Sequence, residues 1–163
     1  LRQGPGVGYE PLRGLDPLTD DAVATGRHRL LEDSIWHEIT ADGVTGWVNS
    51  RFVGYLGSVD DVTAAIVASL GGIAEATTMD ELGRMVAVPY ASSEPGQRRV
   101  VSVAPAVGDL AEMTVDVIGL ADDSVFGVRL HVFAQPTESG FSLQSVEQTS
   151  ICGRGVTDDG LCV

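Results

Sequence analysis

The chain has 163 residues, with 10 Lys+Arg against 23 Asp+Glu, a formal net charge of −13. That balance excludes nucleic acid and anionic membrane surfaces as partners, because both are recognised through a basic footprint. All ten cations are Arg, and the absence of Lys excludes Schiff-base, phosphate-loop and kinase-type lysine chemistry.

Residues 1–57 are rich in Gly, Pro and aromatics and carry no helical pattern. Gly4, Pro5, Gly6 and Gly8 form an opening turn, and a turn-rich stretch with Pro11, Gly14, Asp16 and Pro17 follows. Strand signals lie at 22–27, 35–40 and 45–48, with Asp42-Gly43 as the hairpin turn between the last two. This predicts a small all-β unit over 1–57.

The composition changes after Gly57. Ser58 with Asp61 reads as a capping box, and Val59, Val62, Ile66 and Leu70 make a helical stripe that Gly71-Gly72 stops. Thr78 with Glu81 opens a second helix carrying Met79, Leu82, Met85 and Val86 on one face, with Pro89 as its terminator. After a Ser/Pro/Gly loop at 92–96, strand-like runs occupy 99–104, 112–118, 125–135 and 141–148. Turns separate them around Gly108, at Ala121-Asp122-Asp123 and at Glu138-Ser139-Gly140. Two helices followed by an antiparallel meander predict an α+β layer over 58–163. In the meander, Met113, Val115 and Val117 alternate with polar residues, as do Val128, Leu130 and Val132. A register that puts both sets on one face pairs Glu112 with His131 and Thr114 with Arg129.

No apolar run approaches the roughly 18–20 residues that span a bilayer, so no integral membrane segment is expected. No signal peptide is visible, but the chain opens abruptly at Leu1, and a leader or anchor ahead of it is expected. Cys152 and Cys162 are too few for a zinc or iron–sulfur site, and no His is spaced to join them. Their spacing near the chain end fits a local disulfide and an oxidising, extracytoplasmic compartment, the alternative being a reduced pair.

Three stretches of the first unit resemble the bacterial Src-homology-3 family. Leu1-Arg2-Gln3-Gly4-Pro5-Gly6-Val7-Gly8-Tyr9 is similar to its first strand and following loop. Ile35-Trp36-His37-Glu38-Ile39 is similar to its Trp-centred strand, and Thr45-Gly46-Trp47-Val48-Asn49-Ser50-Arg51-Phe52-Val53 to its closing strand and short helical turn. The resemblance spans Leu1 to about Tyr55 and implies a small β-barrel with a non-catalytic binding role, commonly toward cell-wall peptides or glycans. The segment 27–33 is longer than the family pattern. Residues 58–163 resemble no family.

Among the aromatics, Tyr9, Trp36, Trp47 and Tyr55 are the candidate binding residues. A shallow aromatic groove suits sugar faces and extended peptides, while a small barrel also needs some of these rings as core. Tyr9 and Trp47 are the choices for exposure; Trp36 stands where it also closes a core. His28, His37 and His131 are not spaced as metal ligands, and no cofactor is expected. Of the Asp-Asp pairs at 20–21, 60–61, 122–123 and 158–159, none belongs to an Asp-x-Asp-x-Asp-Gly calcium loop. No Gly-x-Ser-x-Gly nucleophile elbow is present, and an enzyme is not expected. The reading is a non-catalytic extracytoplasmic binding protein whose barrel docks on cell-wall peptidoglycan. The alternative is a receptor- or inhibitor-like module for an envelope protein with an architectural barrel. Third is a hydrolase with a site around His131 in the second domain.

Overall fold

The computed structural model describes residues 1–16, 19–32, 34–91, 99–102, 104–120 and 122–163. The predicted loop at 92–96, and the turn residues Pro17 and Ala121, lie outside the described residues. The chain divides into two compact units, Leu1–Gly54 and Tyr55–Val163. The division falls ahead of the boundary read after Gly57, because Tyr55 already belongs to a strand of the second unit.

In the first unit, β1 (Val23–Leu30), β2 (Ile35–Ala41) and β3 (Val44–Asn49) form an antiparallel sheet in that order. Asp42 and Gly43 both take positive φ, 48° and 73°, the mirror-image turn that matches the twist of a two-residue hairpin. The opening segment joins β3 through Arg2, whose N–H donates to Trp47 O at 2.9 Å while Trp47 N–H donates to Arg2 O at 2.8 Å. A 3-10 turn, Ser50–Phe52, follows β3, with Asn49 Oδ1 accepting from Arg51 N–H at 2.9 Å. Among the described residues of this unit, Trp36, Ile39 and Ala41 are the buried apolar ones. Among the described residues these strands do not close into the barrel that the resemblance implies. The chain leaving the 3-10 turn joins the second unit's sheet instead of returning to β1.

The second unit contains β4 (Tyr55–Asp61), α1 (Thr63–Leu70), β5 (Glu75–Ala76), α2 (Met79–Ala91), β6 (Arg99–Ser102), β7 (Ala106–Val107), β8 (Ala111–Ile118), β9 (Val125–Thr137) and β10 (Gly140–Cys152). Its sheet runs β4-β10-β9-β8-β6, with every described pairing antiparallel, so the predicted α+β layer is present. Ile66 of α1 and Met79, Leu82, Val86 and Ala87 of α2 form one buried cluster with Met113, Val115, Val117, Val128, Leu130 and Val132.

Three expectations are corrected. Ser58–Asp61 is not a capping box, because Tyr55–Asp61 is a strand paired with β10. Helix α1 begins after it; the Thr63 hydroxyl first, and then the Thr63 N–H, which donates to Asp61 Oδ1 at 2.9 Å, hold the Asp61 carboxyl below its usual value. Pro89 does not end α2 but lies inside it, in the last turn, where its missing N–H removes a single helix bond. The β8–β9 register is displaced by two residues from the expected one: Thr114 faces His131 and Asp116 faces Arg129. The faces are nonetheless as read, since a slip of two residues returns each side chain to the same side.

Helix termini elsewhere follow the sequence. Gly71, at φ 78°, donates to Ala68 O at 3.3 Å, and Gly72 donates to Val67 O at 3.0 Å, which satisfies the last carbonyls of α1. Thr78 Oγ1 accepts from Glu81 N–H at 3.2 Å, while the Glu81 carboxylate reaches back to Thr77, accepting from its Oγ1 at 2.9 Å.

Cys152 and Cys162 are bonded, with a Cα–Cα separation of 5.0 Å. Between Thr149 and Ile151 the β4–β10 register shifts, leaving Gly57 and Ser58 opposite Ser150 alone. There Ser58 N–H donates to Gly160 O at 2.9 Å, so the disulfide-closed tail supplies the acceptor. Closing this short loop stabilises the fold by ~2–3 kcal/mol in the chain-entropy model. Reduction is expected to lower the urea midpoint and to speed hydrogen exchange at Ser58. Two free thiols in a non-reducing mass measurement, or exchange at Ser58 unchanged by reduction, would contradict this account.

Candidate functional site

The polar centre of the first unit is Glu38, which with Asp116 is one of two buried charged residues among those described. A buried carboxylate needs partners, and β1 supplies them through an irregularity. Between the pairs Ala24–Ile39 and His28–His37, three residues, Thr25, Gly26 and Arg27, stand opposite Glu38 alone. Gly26 adopts φ 83°, a left-handed conformation that glycine takes without a Cβ penalty. The bulge turns the residues on both sides of Gly26 toward the same carboxylate. Thr25 Oγ1 donates to Glu38 Oε2 at 2.8 Å and Arg27 Nη1 donates to Oε1 at 2.6 Å.

Trp47 is the direct cross-strand neighbour of Glu38 on β3. The Arg27 guanidinium carbon lies 5.5 Å from the Trp47 ring centroid, a cation–π contact. The Arg27 side chain is still 69% exposed, whereas the Glu38 side chain is 11% exposed. The carboxylate is thus the fixed end of the pair, and the guanidinium is presented outward beside the partly exposed indole.

Tyr9 is 50% exposed. Its ring lies on Gly4, where a Cβ would meet the ring carbon Cε1 at 2.5 Å, so only glycine permits this approach. Arg2 Nη1 donates to Tyr9 O at 2.6 Å and to Val7 O at 3.0 Å. Arg2 therefore holds the Tyr9 loop with its side chain and the Trp47 strand with its backbone.

The other two candidate residues are placed differently. Trp36 is 4% exposed, with its indole N–H donating to Ser34 Oγ at 3.1 Å, so its ring is core rather than surface. Tyr55 lies in β4 of the second unit, paired with Cys152, and is not on the first sheet. His131 lies on the face of the second sheet away from the helices, since its neighbours Leu130 and Val132 point into the core. Its Nε2 is 3.3 Å from Glu112 Oε2, an ion pair when the imidazole is protonated, and its ring centroid is 4.2 Å from that of Phe133. Thr25, Arg27 and Glu38 are not among the candidate residues that the sequence offers. Gly26 within a strand pattern was the available signal, since such a glycine marks a bulge. Among the described residues no group of three or more His, Cys, Asp or Glu is arranged to hold a metal ion. Comparison with known family models, curated proteins and solved structures finds no match to this chain.

His37 faces His28 across the β1–β2 ladder. Burial first, and then the proximity of His28, hold the His37 imidazole below its ordinary value. The folded state therefore prefers His37 neutral, and the unfolded chain takes up the proton at higher pH. This contribution is fully present above the unfolded value of ~6.5 and is lost as pH falls through the lower folded value. The urea midpoint is expected to fall as the pH is lowered through this range, and to fall less in His37→Gln. An equal fall in both proteins would contradict the assignment.

Proposed function

We propose that this chain is a non-catalytic binding protein acting outside the cytoplasm, with its first unit docking on cell-wall peptide or glycan. The observation that carries this reading is that one residue, Arg2, holds both the loop of the half-exposed Tyr9 and the strand of the partly exposed Trp47. Flat apolar rings beside backbone polar groups suit sugar faces and extended peptides. The similarity of residues 1–55 to the bacterial Src-homology-3 pattern supports the same class of ligand. The Cys152–Cys162 disulfide fits an oxidising compartment, and no described helix is long and apolar enough to cross a membrane.

The net charge of −13 opposes attraction to anionic wall polymers, and Glu38 already offsets Arg27 at the surface in question. Binding then comes from stacking and hydrogen bonding over a small area, with weak affinity and little response to salt. Sedimentation with purified peptidoglycan tests this. The native chain is expected to sediment similarly at low and high salt, and Trp47→Ala about tenfold more weakly, the effect of losing ~1.4 kcal/mol of aromatic contact. Equal sedimentation of both chains would remove the aromatic surface from the account. No sedimentation of either would favour a module that binds an envelope protein.

A further inference from the structure

The first unit has a second feature, away from the bulge: a cleft of about 390 Å³ between the end of the β1–β2 hairpin and the 3-10 turn. Leu30, Leu31 and Ile35 are its apolar lining, with Leu30 71% exposed, and Asn49 and Ser50 line it as well. Glu32 and Arg51 line the same cleft from different segments. Neither makes an ion pair or a side-chain hydrogen bond among the described residues, with each other or with any third group. The frame around them is held. Asn49 Oδ1 fixes the Arg51 amide, Leu31 N–H donates to Ser34 O at 2.8 Å, and Ser34 Oγ accepts from the buried Trp36.

Two opposite charges that share a concave surface without pairing leave a gap that a ligand of the reverse polarity bridges. Such a ligand carries a carboxylate for the planar donors of Arg51, an ammonium for Glu32, and an apolar segment between them for the leucine and isoleucine walls. The volume lies within the roughly 300–1,000 Å³ of ordinary small-ligand sites, toward the lower end. We propose that this cleft binds a short zwitterionic peptide or amino acid, Arg51 taking its carboxylate and Glu32 its ammonium. The site does not depend on the Tyr9–Trp47 surface. Its ligand is distinct in kind, because stacking on Trp47 needs no charge and this cleft needs both.

The test is a titration of the native chain with L-alanyl-L-alanine, followed by the amide resonances of Glu32 and Arg51. N-acetylated, C-amidated and doubly blocked forms of the same dipeptide serve as the other arms. The zwitterion is expected to bind saturably, and each singly blocked form at least about threefold more weakly, as for a lost exposed ion pair. Arg51→Gln is expected to bind the free acid and the amide equally, and Glu32→Gln the free amine and the acetylated form equally. Both side chains are exposed, so the variants are expected to fold. Trp47→Ala is expected to bind the dipeptide as the native chain does, whatever its effect on peptidoglycan sedimentation. No shift at either resonance up to the solubility limit, equal binding of zwitterion and doubly blocked form, or loss of dipeptide binding in Trp47→Ala would each overturn the proposal.

Discussion

A carboxylate removed from water must be paired, and each of the two sheets contains one such group. Glu38 in the first unit and Asp116 in the second are the buried acidic residues among those described. Each is held by an arginine from the neighbouring strand: Arg27 at 2.6 Å, and Arg129 through two bonds at 2.9 and 3.0 Å. Removing one member of such a pair leaves an uncompensated charge, which costs far more than the intact pair contributes. The local backbone therefore answers to the carboxylate. On the first sheet the answer is a bulge at Gly26, and the bulge is what brings Arg27 over Trp47.

The two pairs differ in what they leave outside. Asp116 and Arg129 are directly opposite in an unbroken ladder, and both are largely buried, so the pair sets register and presents little to solvent. Arg27 is held at its end by a buried partner but remains mostly in water. An arginine in that state keeps unused donors and a planar face beside an indole. The first sheet thus carries a surface with chemistry, where the equivalent device in the second sheet carries order.

Much of this was legible from residue order, and the exceptions have physical causes. The Asp42-Gly43 turn, the caps at Gly71 and Thr78, and the apolar alternation in β8 and β9 are local signals, and local signals were sufficient. Alternation specifies which face a strand buries but not its position along the partner, so the β8–β9 register differs from the expected one by two residues. Strand β4 is not legible locally, because Val59, Val62, Ile66 and Leu70 fit a helical stripe. What makes Tyr55–Asp61 a strand is its partner β10, far along the chain. The site is legible in the sequence through its aromatics alone. Tyr9 and Trp47 reach solvent, Trp36 went to the core, and Tyr55 went to the other unit. Glu38 and Arg27 are not legible as a site, because a charged residue in a strand pattern reads as solvated until its burial is known.

The claim on which the rest stands is that Glu38 holds Arg27 against the Trp47 ring. The aromatic ring current reports this directly through the Arg27 side-chain proton resonances. In the native chain these are expected upfield of their positions in an unstructured peptide, and in Glu38→Gln they are expected to move back toward those positions. Unshifted Arg27 resonances in the folded native chain, or an upfield shift that persists undiminished in Glu38→Gln, would contradict it.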